Sequence, residues 1–522
     1  MSPRARRIVR RVFPFVLLVL LCGLASVALA RPGGGQSYSG GSRSSGGGGY
    51  SGGGHSSGGD GGFLVQLIFW LVISHPAIGI PMLIVAALVF FGRAMFGSKL
   101  QEWSTAGSGA PAAQNRYDRE RREWEEQQQA LAQRPTHIPR AALDAIRTID
   151  AEFSIALFED FVYLLYAEIQ RARASNPAHL AAFLSPQLAQ TWRADPNLAD
   201  VRGIVIGAMR VVAFSGVAGP AVSLELEFEA NYVEAYRQGG ERRFYVTDRM
   251  GLSRARTAVS RPAGRARTLD CPNCGAPLQN MRGTQCTYCQ KDVGGGRFDW
   301  NVAYLSSVAK ELRGPLLTSD VVEVGTEDPT IVDPQAVPRM RALEQRDPSF
   351  NWEAFTNRVG HVFRELQVAW SGRDPARIRP YVSDNLFQSM MYWIDLYVQS
   401  KCRNMNDNAR ILRLELANVL TDKVYDSVTI RVFASGFDYT ISDDGRVLSG
   451  SRKRERTYSE YYTFIRGTQR TGPARSDQNC PNCGAPLDIS MVGNCRHCSA
   501  KVTAGEFDWV LSRIEQDESY SG

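Results

Sequence analysis

The sequence predicts an α+β fold, made of two tandem copies of one helix-plus-antiparallel-sheet module, each with a zinc ribbon, after one transmembrane helix. Three observations predict it. A four-cysteine pattern occurs twice, at Cys271, Cys274, Cys286 and Cys289 and again 209 residues later at Cys480, Cys483, Cys495 and Cys498. Amphipathic helix patterns open each copy before any strand pattern begins, the order of an α+β domain. An apolar run from Phe63 to Phe91 without Asp, Glu, Lys or Arg precedes both copies.

The elements follow in order. Residues 1–30 carry Arg4, Arg6, Arg7, Arg10 and Arg11 ahead of an apolar run that ends in Ala28-Leu29-Ala30. This is the pattern of a signal peptide, or of a first membrane helix if it is not cleaved. Residues 31–62 are almost all Gly and Ser and cannot build a core, so they read as a linker. The segment 63–92 is long enough to span a bilayer, with Pro76 and Pro81 expected to kink it. Arg93, Lys99, Arg116, Arg119, Arg121 and Arg122 follow it, and the positive-inside rule then puts the rest of the chain in the cytoplasm. That makes a bacterial plasma membrane the expected location. Residues 93–148 read as a charged juxtamembrane helix and linker.

The first module is expected over 149–313, with its ribbon at 270–292. A linker follows at 314–346, and the second module covers 347–522 with its ribbon at 479–501. The duplication can be traced residue by residue. Phe153, Phe158, Tyr166 and Glu168 correspond to Phe350, Phe355, Phe363 and Glu365, and Ser185 and Leu188 to Ser383 and Leu386. Ser223–Phe228 and Ser427–Val432 alternate polar and apolar, as half-buried strands do. Asp443-Asp444-Gly445 reads as a hairpin turn and Tyr461–Ile465 as a further strand.

Two Cys-x-x-Cys knuckles let one ion take four thiolates, and thiolate softness favours zinc. Four sulfurs fill a tetrahedral shell and leave no place for a reactive water, so two structural zinc ions are expected. Gly275 and Gly484 follow their first knuckles and suit a tight turn. His497 reads as a solvated loop residue. His179 and His361 have no histidine at the matching place in the other copy, no His-Glu-x-x-His occurs, and Gly-x-Ser-x-Gly occurs only within the Gly/Ser tract that cannot build a core. No catalytic residue is therefore expected. Phe387, Met390, Met391, Trp393, Ile394 and Tyr397 form a broad apolar helix face, read either as core or as the lining of a hydrophobic pocket. Arg452–Arg456 and Arg254, Arg256, Arg261, Arg265 and Arg267 read either as solvated surface or as a face for anionic lipid.

The stretch Asp347, Phe355, Phe363, Gln367, Trp370, Asp374 and Leu386, with Tyr461–Arg466, resembles the Tim-forty-four-like domain family. That family is named for the peripheral inner-membrane subunit of the mitochondrial protein-import motor. The Gly/Ser stretch before a membrane helix, and the Cys-Pro-x-Cys-Gly-Ala-Pro-Leu ribbon followed by Phe-Asp-Trp, resemble bacterial members. The resemblance implies cone-shaped modules similar to nuclear-transport-factor-two-like folds, membrane association and docking of protein partners. It brings no catalytic residues, and the second copy and the ribbons depart from the mitochondrial arrangement.

The length of 522 residues and a hydrophobic content of 44% allow two or three real cores. A net charge of +7 suits an acidic membrane surface without calling for nucleic acid. The expected function is a non-enzymatic, membrane-anchored scaffold or adaptor, linked to protein translocation. The competing expectation is a carrier or sensor of a hydrophobic ligand or lipid in the second cone.

Overall fold

The computed structural model describes residues 137–175, 177–312, 323–475 and 479–522. The expected signal region, Gly/Ser linker and membrane span lie outside the described residues. Among the described residues no helix is long and apolar enough to cross a membrane.

A 3-10 helix, Arg140–Thr148, opens the first half, followed by α1 (Ile155–Ala172) and α2 (Pro186–Thr191). Strands β1 (Leu198–Ser215), β2 (Ala221–Tyr236) and β3 (Glu241–Ala255) come next. The short helix α3 (Ala263–Ala266) leads to a ribbon containing β4 (Met281–Arg282) and β5 (Gln285–Cys286), and β6 (Asn301–Glu311) closes this half. The second half runs α4 (Ala336–Arg346), α5 (Trp352–Gly372), α6 (Pro375–Ile378) and α7 (Asp384–Gln399). Its strands are β7 (Cys402–Thr421), β8 (Tyr425–Ser442), β9 (Val447–Gly450), β10 (Arg456–Gly467) and β11 (Val510–Gln516).

Each half folds one antiparallel sheet, ordered β1-β2-β3-β6 in the first and β7-β8-β10-β11 in the second, with β9 added beside β8. The last strand of each sheet follows a ribbon. The predicted strands fall inside β2, β8 and β10. The predicted hairpin turn joins β8 to β9, where Gly445 adopts φ +87°.

Helix placement follows from spacing. Phe158, Phe161, Val162, Leu165, Tyr166 and Ile169 recur at three and four residues along α1 and are all buried. Phe355, Val359, Val362, Phe363 and Leu366 do the same along α5. The matched serines are helix caps: Ser185 Oγ accepts from Leu188 N at 3.1 Å, and Ser383 Oγ accepts from Leu386 N at 3.5 Å. Asn351 caps α5, accepting from Ala354 N at 2.7 Å.

The ends of the two expected linkers are folded. Arg140–Thr148 buries Leu143 and Ile146 completely, and α4 buries Met340 and Leu343. Each contributes only two large apolar side chains, three apart among charged neighbours. So sparse a stripe does not stand out as a helix signal.

The helices after the caps differ in length, with α2 at six residues and α7 at sixteen. The extension of α7 packs on β1 of the first half, with Tyr392 beside Gly203. In return, Ala156 and Leu157 of α1 pack against Tyr425 and Ile465 of the second half.

Candidate metal centres

The eight predicted cysteines gather into two clusters, Cys271, Cys274, Cys286 and Cys289, and Cys480, Cys483, Cys495 and Cys498. Within each cluster all sulfurs lie within 4.8 Å of one another, and the described cysteines are free of disulfides. Opposed sulfurs are 3.9 Å (Cys271–Cys289) and 3.8 Å (Cys274–Cys286) apart in the first cluster. In the second they are 3.8 Å (Cys480–Cys498) and 4.0 Å (Cys483–Cys495) apart. A tetrahedron with metal–sulfur bonds of roughly 2.3 Å has edges of roughly 3.8 Å, so both donor sets fit one four-coordinate ion such as zinc.

The backbone shapes all four knuckles in the same way. The first cysteine of each knuckle receives a hydrogen bond at its carbonyl from the residue just past the second cysteine. The donors are Gly275 N at 2.9 Å, Gln290 N at 2.9 Å, Gly484 N at 2.9 Å and Ser499 N at 2.8 Å. All four donors sit in the left-handed region, at φ +79°, +59°, +75° and +61°. Sequence reasoning found the two glycines. It missed Gln290 and Ser499, because neither residue type signals a positive φ.

Asparagines from the Cys-Pro-Asn-Cys motifs bear on the last thiols. Asn482 Nδ2 donates to Cys498 Sγ at 3.3 Å, and this bond leads the causes that bring the Cys498 pKa down to about 6. Burial pushes the Cys289 thiol up, but Asn273 and the Lys291 N–H outweigh it and bring it to about 6. Burial drives Cys271 the other way, to about 12. Cys402 is buried and belongs to neither cluster. His497 is exposed and is not among the sulfur donors.

Each centre is fastened to the body of its half. Arg261, 4% exposed in its side chain, bridges Asp270 at 3.1 Å and Asp299 at 2.7 Å, and Arg265 donates to the Cys271 carbonyl at 2.8 Å. In the second half Arg379 donates to the Met491 carbonyl at 2.7 Å, and Lys501 pairs with Asp384 at 2.8 Å. The Phe-Asp-Trp segments then lead from ribbon to sheet. Trp300 packs on Phe158 at 5.1 Å and Trp509 on Phe355 at 5.0 Å. A buried ion pair backs each tryptophan, Asp150–Arg254 at 2.8 Å and Asp347–Arg466 at 3.0 Å. The guanidiniums lie 4.9 Å and 4.7 Å from the indole centroids.

These pairs decide where most of the copy-one arginines go. Arg254, Arg261, Arg265 and Arg267 are engaged with Asp150, Asp270, Asp299 and Asp160. Arg256 stays at the surface, as do Arg452, Lys453 and Arg454 in the second half, whereas Arg456 pairs with Glu323 and Asp438.

The residues of the expected hydrophobic pocket divide. Phe387, Ile394 and Tyr397 are buried in the core of the second half, and Met391 is half-buried against it. Met390 and Trp393 also belong to that core, and they reach a cavity between the halves. His361 stacks edge-on against Tyr381 at 5.1 Å, and burial pushes its pKa below the ordinary histidine value. His179 is exposed.

The fold and donor sets define an α+β protein with two four-cysteine centres suited to a metal. Within it, residues 338–474 match the Tim44-like domain, so the similarity covers the helices and most of the sheet of the second half and stops short of Cys480. No curated protein matches the chain.

Proposed function

We propose that the chain is a membrane-anchored, non-enzymatic scaffold that docks protein partners at the cytoplasmic face of a bacterial plasma membrane. The observation that carries this reading is the Tim44-like match over residues 338–474, in a body where two sulfur-closed ribbons brace two sheets. The family's name supplies the expectation of an adaptor, and a link to protein translocation follows from the same resemblance. The uncharged run Phe63–Phe91 supplies the anchor. The two halves are read as tandem cone-shaped, nuclear-transport-factor-two-like modules, supported by their shared strand order.

The ions are proposed to be zinc, held by Cys271, Cys274, Cys286 and Cys289 and by Cys480, Cys483, Cys495 and Cys498. Four thiolates around zinc leave no open coordination position, so the ions brace the fold and activate no substrate. In each half the residues just past the ribbon become the last strand, which makes ribbon and sheet one mechanical unit.

Affinity capture of the full chain from native membranes, after in-cell crosslinking, tests the scaffold. A protein recovered in stoichiometric amount, and lost when exposed residues of the second half are replaced, is expected. Full-length chain recovered alone from the soluble fraction would overturn both anchor and scaffold.

A further inference from the structure

A cavity of about 90 Å³ opens between the two halves. Trp370, Met390 and Trp393 form its wall on the second half, and Ile206–Met209 of β1 face them from the first. Met209, Met390 and Trp393 are 1%, 4% and 2% exposed, so these walls are anchored in packed cores. The register of β1 against β2 breaks between Arg202 and Val205 and again between Ile206 and Ala208. The second break puts an unpaired residue at Gly207 and bends the strand at the cavity.

The charges at the rim cancel. Arg140 pairs with Glu159 at 3.1 Å and Glu515 at 2.7 Å, and Arg513 pairs with the same two carboxylates. The other polar groups there are neutral, including the hydroxyls of Ser389, Ser512 and Ser519.

We propose that this cavity binds one end of a small uncharged amphiphile, an alkyl or aryl group bearing a hydroxyl. Two indoles and two thioethers give a polarizable apolar lining that adapts to such a group. The cavity is smaller than the roughly 150 Å³ apolar cavity that takes up benzene, so it seats the apolar end and leaves the head at the hydroxyl rim. An ionised head finds no uncompensated opposite charge there and loses its hydration without return. The site needs both halves, since each supplies one wall. A bound ligand therefore stabilises their arrangement by mass action. The inference goes beyond the scaffold reading and depends on neither the anchor, the metal nor a protein partner.

The test uses the purified full chain with carbon-13-labelled methionine methyls, titrated with hexan-1-ol, hexanoate and hexylamine. The methyls of Met209 and Met390 are expected to shift saturably with hexan-1-ol, and at least about tenfold more weakly with either ion, the cost of stripping water from an unpaired charge. Ser389→Trp, which fills the mouth, should abolish the shifts while the other methionine signals and the metal content stay unchanged. Equal response to all three probes, a shift that does not saturate, or no shift overturns the proposal. The native-chain comparison alone decides the matter if Ser389→Trp disturbs the fold.

Discussion

Arg466 is 2% exposed and held by Asp347, with the Trp509 ring against its guanidinium. Removing one member of such a pair strands the other charge in a low-dielectric interior. Arg466→Met should lower unfolding stability by about 3–5 kcal/mol, read from the urea midpoint, and pairing it with Asp347→Leu should restore much of the loss. Arg254→Met is expected to do the same in the first half, where Asp150 is the partner. The sequence alone left Arg254 among residues that face either solvent or lipid. Its partner lies over a hundred positions away, on another element, and local charge pattern carries no trace of such a pairing. Cysteine spacing was different. The two-residue gap forces both thiols of a knuckle toward one point, so the donor sets were readable in full.

At the scale of elements, the second ribbon packs as a small cluster of its own around Ile489 and Val502, and so few apolar residues should leave its folding dependent on the proposed ion. A strong chelator should expose the Cys480–Cys498 segment to protease while leaving most far-UV dichroism intact. Elemental analysis should give two zinc ions per chain, and one in Cys483→Ser. Full retention of both ions by that variant would remove the second centre from the account. Among the helices, Asn351→Ala should cost about 1 kcal/mol by leaving the first turn of α5 uncapped. Helices and strands with a regular apolar stripe were legible in advance. The broad face of α7 was legible as apolar, but its purpose was not. One side enters the core of its own half and the other reaches β1 of its neighbour, and a single sequence does not say how many surfaces a stripe will meet.

Across the whole molecule, the seam between the halves is a run of alternating charges, Arg140, Glu159, Arg513 and Glu515, all less than a fifth exposed. Burial works to raise the Glu515 pKa, and Arg140 and Arg513 outweigh it and hold it below the ordinary value of 4.5. A depressed carboxylate contributes stability that is fully present above that value and is lost as pH falls through the folded-state pKa. Amide exchange in α1 and β11 should therefore accelerate as pH drops below 4.5, after correction for intrinsic rates. Arg513→Met should move that transition to higher pH. A seam whose exchange is indifferent to acid would remove the charge run as its fastener.

The sixteen residues of α7 against six in α2 carry one further consequence. The added length of α7 is spent on β1 of the other half, so neither half keeps that contact by itself. A chimaera carrying the first half twice should therefore express as two poorly joined pieces.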